Sequence, residues 1–159
     1  MEDNKIIKLV YTFFLGLLIA VFVGVGVNTF YPGPKMPEYP TSLSTPATKD
    51  VADKEIAAQR NYDAQHKKYT EASNPYNRNV SIVVLVAAVA LLTVSILTEI
   101  KMRIISDGVM LGGLFTLVYS IGRSFASSNS KYVFLVTSVG LAIVIYLGYH
   151  RFVRPHAIK

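Results

Sequence analysis

The chain has 159 residues, 52% of them hydrophobic and 16% charged, with a formal net charge of +6. It contains no cysteine, which excludes disulfides, thiolate metal sites and thiol redox chemistry, and no tryptophan. The basic residues flank apolar runs rather than forming a patch, so they read as topology signals and no nucleic-acid partner is expected.

Residues 1–8 form a short charged tail, and no charged side chain then occurs from Leu9 to Pro34. About 20 helical residues cross the roughly 30 Å of bilayer hydrocarbon, so 9–30 is predicted as a first transmembrane helix. Its apolar region is longer than that of a secretory signal, and no small-residue cleavage site follows. It is therefore read as an uncleaved span.

The segment 31–78 is the part with soluble character. Pro32, Pro34, Pro37, Pro40 and Pro46 make residues 32–46 a stiff, extended spacer. From about 48 to 73 there is neither Pro nor Gly, and Ala, Lys, Glu, Gln and Asp dominate. That composition predicts a largely solvated loop helix ending before Asn74-Pro75. Glu55, Tyr62 and Tyr69 recur along it at seven-residue spacing.

Three further spans follow. Residues 79–100 begin with a charge-free run from Asn79 to Thr98. The run Gly108–Gly122 alone covers only about 22 Å. It reaches full length as 104–126, with Asp107 and Arg123 reaching out to the two surfaces. The last span, 132–150, contains the charge-free run Tyr132–Tyr149, and 151–159 forms a second short tail. Tyr11, Tyr31, Tyr76, Tyr132 and Tyr149 lie at span ends as an aromatic belt. The short connections make the second, third and fourth spans sequential antiparallel neighbours.

Four spans place both termini on one side. Lys5, Lys8, Lys101, Arg103, Arg151, Arg154 and Lys159 then share a side and cluster at span ends, whereas the basic residues of 31–78 are spread thinly. That density puts the termini in the cytoplasm and the loop outside, in a plasma (inner) membrane.

In lipid, burial of apolar surface contributes little to helix association, so small residues that permit close packing carry more weight. Gly16, Ala20 and Gly24 form one four-spaced stripe, Gly108 and Gly112 a second, and Ser138 with Ala142 a third. These are the candidate packing residues, within one molecule, against a second copy or against a membrane-protein partner. Glu99, Arg103 and Asp107 are also spaced by four and would align with alternating sign on a helix. This cluster is read as an interface that ends two spans, with a lipid headgroup or partner as its possible ligand.

No Asp, Glu, Lys, Arg or His lies deep within a span; the polar groups there are Thr93, Ser95, Thr116, Ser120, Thr137 and Ser138, with Asn28 near one end. This argues against ion-coupled transport, and hydroxyls of this kind are expected to bond back to their own helices. Asp63, His66 and Glu71 are too few to build a catalytic or metal site, and His150 and His156 sit beside Arg151 and Arg154 where lipid phosphate explains them. No phosphate loop, zinc-protease or nucleophile-elbow motif occurs. The sequence thus reads as an all-α membrane protein with four transmembrane helices and one extracytoplasmic loop helix. Its expected role is a non-enzymatic accessory or interaction subunit, without cofactor, metal or catalytic residue; the alternative is an oligomeric channel or transporter lined by hydroxyls of the third and fourth spans.

Overall fold

A computed structural model of the chain describes residues 3–39 and 49–153. The first residues of the N-terminal tail, the spacer beyond Tyr39 with Pro40 and Pro46, and most of the second tail with Arg154 and His156 lie outside the described residues. Every regular element described is helical: α1 (Asp3–Phe30), α2 (Lys49–Thr98), α3 (Arg103–Phe125), α4 (Ser130–Gly148) and a terminal π turn (Tyr149–Val153). Each of the four α-helices is long and apolar enough to cross a membrane.

The solvation of this bundle is inverted relative to a water-soluble protein. Ser81, Ser95, Ser106, Thr116, Ser120 and Ser124 are all fully buried, at 0% exposure. Large apolar side chains point outwards instead, with Phe22 77%, Phe134 76% and Leu9 71% exposed. Such a surface matches hydrocarbon, where small interior residues let backbones approach and the bulky ones contact acyl chains.

α3 lies at the centre, packed against α1, α2 and α4. Against α2 it is antiparallel, as the short turn requires. Two serine pairs fix the register: Ser81 meets Ser120, and Ser95 meets Ser106. Against α1 it is parallel, since Leu15 faces Gly108, Ile19 faces Gly112 and Gly24 faces Tyr119. The first span, which connectivity left free, is thus placed on the side of the third. α4 reaches α3 through Gly140, whose neighbours are Ile121 and Leu117.

The main departure from expectation is in α2. The sequence predicts a loop helix ending before Asn74-Pro75 and a separate span from Asn79, yet one helix of 50 residues runs through Pro75. A proline in a helix interior removes the donor to the carbonyl four residues earlier and usually breaks the helix. Here it lies on the exposed side of α2, and the residues that follow are tied down. The Tyr76 hydroxyl donates to the Tyr31 carbonyl at 2.9 Å, and Asn77 Nδ2 donates to the Ala126 carbonyl at 3.1 Å. These tertiary contacts override the local signal. At 1.5 Å per residue, the polar half of α2 from 49 to 76 is about 42 Å long, and its far part projects beyond the bundle. We call this half the arm.

Candidate functional site

Three structured regions could carry function: the seam between α2 and α3, the arm with its base, and the opposite end of the bundle.

The seam is built on small residues spaced by seven on both helices, Ser81, Ala88 and Ser95 on α2 and Ser106, Gly113 and Ser120 on α3, with Ser81 facing Ser120 and Ser95 facing Ser106. In each serine pair the two hydroxyls donate reciprocally to the partner's carbonyl. Ser81 Oγ lies 2.9 Å from the Ser120 oxygen and Ser120 Oγ 2.8 Å from the Ser81 oxygen. Ser95 and Ser106 repeat this at 2.8 and 2.7 Å. Between the pairs, a Cβ on Gly113 would lie 2.6 Å from Leu92 Cδ2 and 3.3 Å from the Leu92 amide nitrogen. The sequence reading expected hydroxyls to bond within their own helices. Thr93 and Thr116 do so, to the carbonyls of Val89 and Gly112, but Ser95 and Ser120 bond across. The signal that identifies the seam is the seven-residue recurrence, which a search for four-spaced residues passes over.

The four-spaced candidates divide. Gly16, Gly112 and Gly108 do mediate the α1–α3 approach: a Cβ on Gly16 would stand 2.9 Å from Leu111 Cβ and 3.0 Å from the Gly112 nitrogen. Ala20 and Gly24 are half-buried, and Gly24 has only ordinary contact with Tyr119. Ser138 and Ala142 are exposed on α4, whose buried face is instead Val136, Gly140 and Leu147. Ala142 lines an apolar groove between α2 and α4 with Leu92, Ile96 and Ile143.

The arm presents an aromatic stripe to one side. The Tyr62, His66 and Tyr69 rings follow one another at 5.7 and 6.3 Å, and Tyr76 continues the stripe at its base. The extended segment after α1 lies along it. Tyr31 stacks on Tyr76 with centroids 5.2 Å apart, Gly33 sits against the Tyr76 ring, and Tyr39 meets Tyr62 edge-on at 5.0 Å. Stiff proline-containing backbone on a tyrosine face loses little conformational entropy on docking. Tyr31 and Tyr76, expected from the sequence as belt residues, thus brace the arm. Asp63 accepts from Gln59 Nε2 at 3.0 Å, while His66 is held between tyrosines. Among the described residues, no three His, Cys, Asp or Glu side chains gather where they could hold a metal ion.

At the base of the arm, the ends of α1 and α3 and the middle of α2 border an open polar cavity of about 580 Å³, lined by Asn28, Thr70, Ser73, Asn74, Asn77 and Arg123 among others. Arg123, in the last turn of α3, lies over the Tyr76 ring at 5.3 Å from its centroid. Its Nε is buried without a hydrogen-bond partner. Asn77 bridges Ser73 Oγ at 3.0 Å and the Ala126 carbonyl, so its amide is already engaged. Sequence reasoning placed Arg123 at a surface but could not see that Tyr76, far away in the chain, would cover it.

At the other end of the bundle, the expected alignment of Glu99, Arg103 and Asp107 is not realised. The amides of Lys101 and Met102 both turn back to the Thr98 carbonyl at 3.1 Å, so Glu99 lies in the turn and only Arg103 and Asp107 share α3. Asp107 forms an ion pair with Arg151 of the π turn, and Arg151 Nη1 also lies 3.2 Å from Met110 Sδ. Arg151 is the more enclosed partner, its side chain 13% exposed against 34% for Asp107.

Comparison of the chain with protein-family models, with curated proteins and with solved structures finds no match in any of the three.

Proposed function

We propose that this chain is a small, non-enzymatic integral membrane subunit. It crosses a plasma (inner) membrane four times with its termini in the cytoplasm, and it holds the arm of α2 outside as a docking element for a partner protein. The observation that carries this reading is the continuity of α2: one 50-residue helix joins an apolar bundle to a polar projection. A solitary polar helix is marginal by itself, since helices in water gain most of their stability from packing. Here the bundle nucleates it and the segment 31–39 supports one side.

The other side stays open. Arg60, Ala64, Lys67, Lys68 and Glu71 are all exposed there, a mixed-charge surface with small gaps suited to a folded protein. The exposed face of α4 with Ser138 and Ala142 gives a second copy or a partner helix a place to approach within the membrane. The channel alternative has less support, because Ser120 and Thr116 are engaged within the bundle.

The test is a set of photo-reactive residues introduced singly at Arg60, Lys67 and Glu71, irradiated in intact membranes. A discrete adduct of one mass is expected from these open-side positions and not from Tyr62 on the braced side. Equal labelling at Tyr62, or no adduct from any of the three, rules the docking arm out.

A further inference from the structure

We propose that the cavity at the base of the arm is a binding site for a phosphate-type oxyanion, with Arg123 as its cationic anchor. A cation in the last turn of a helix is ordinary, since it complements the dipole. The surroundings of Arg123 are not. Its guanidinium is half-enclosed, one face covered by Tyr76 and its Nε buried without an acceptor. Among the described residues no carboxylate lines the cavity, and its other polar groups are neutral amides and hydroxyls. This guanidinium has no counterion among the described residues, and its planar set of donors matches phosphate geometry.

The lining supplies complementary donors. The amides of Asn28 and Asn74 make no hydrogen bond to other described residues, while Asn77 is held by Ser73 and Ala126 and keeps the wall in place. Tyr76 is fixed from behind by the Tyr31 ring and by its bond to the Tyr31 carbonyl, so the cation is positioned before any ligand arrives. The cavity lies where the apolar run beginning at Asn79 gives way to the polar arm. In the four-span arrangement proposed above this is the headgroup level, so the oxyanion can belong to an anionic phospholipid or to a soluble phosphate compound.

The experiment uses the full chain in mild detergent. Native mass spectrometry follows retention of added phosphatidylglycerol against phosphatidylcholine, and thermal unfolding is titrated with inorganic phosphate against chloride at equal ionic strength. Preferential retention of phosphatidylglycerol, a phosphate-dependent rise in Tm, or both is expected; the first assigns a lipid headgroup and the second a soluble anion. Arg123→Gln should weaken whichever response is seen by at least tenfold. Asn74→Asp, which places a carboxylate in the lining, should do the same without unfolding the protein, and decides the matter if Arg123→Gln does not fold. Absence of both responses in the unaltered chain, or responses unchanged in the folded variants, overturns the proposal. Neither result depends on whether a partner protein docks on the arm.

Discussion

Ser95 illustrates how a single hydroxyl is used in this bundle. Its proton goes to the Ser106 carbonyl, and the Ser106 hydroxyl returns the bond at 2.7 Å, with both residues at 0% exposure. A carbonyl oxygen has two lone pairs, so the Ser106 carbonyl inside α3 can accept this hydroxyl beside its helical amide donor. Interhelical bonds of this kind contribute about 0.6 kcal/mol on average and up to about 1.7 kcal/mol. Ser95→Ala should therefore lower stability by about 1 kcal/mol in a denaturant titration in detergent. Ser95→Leu should be several times worse, because the pair sits where the helices approach closely and a larger side chain forces them apart. A Leu variant as stable as the Ala variant would contradict the close seam. Ser81 and Ser120 form an equivalent pair fourteen residues away along each helix, so substitutions in the two pairs should add.

At the scale of elements, the glycines discriminate between two ways of reading a membrane helix. Gly16 faces backbone at 3.0 Å, whereas Gly122 has nothing within 4 Å of a built Cβ. Gly16→Ala must push α1 off α3 and should destabilise by about 1 to 3 kcal/mol. Gly122→Ala only gains helix propensity and should stabilise by up to about 1 kcal/mol. Opposite signs in the same unfolding assay are the expected result; equal signs would show that the α1–α3 contact is not formed. Four helices, their order and the polar middle segment were legible in the sequence because hydropathy and length depend on local composition. What was not legible depends on partners far away in the chain. Pro75 reads as a terminator until Tyr31 and Ala126 hold the residues after it. Asp107 reads as a partner of Arg103 until the π turn brings Arg151 to it. Ser138 reads as a packing residue because a stripe on one helix does not reveal which face its neighbour occupies.

For the whole molecule, the proposed orientation rests on where the bases sit. Lys101 and Arg103 are exposed at the turn between α2 and α3, directly at two span ends, whereas Lys67 lies far out on the arm. In the orientation proposed above, the positive-inside rule would put this turn on the cytoplasmic side. Because the chain has no cysteine, Lys67→Cys and Lys101→Cys each give one labelling site. An impermeant thiol reagent on intact cells should modify position 67 and leave position 101 unmodified until the membrane is opened; the reverse pattern would invert the topology. One mechanical consequence follows from the unbroken α2. A helix repeats its direction every eighteen residues, so Tyr62 and His66 stand directly in line with Val80 and Val84 of the buried face. The arm and the seam therefore belong to one continuous helix, braced at the arm's base by Tyr31. In the membrane arrangement and docking role proposed above, a tilt of α2 by about ten degrees would swing a tip about 42 Å away by about 7 Å, enough to carry a movement of the bundle out to the docked protein.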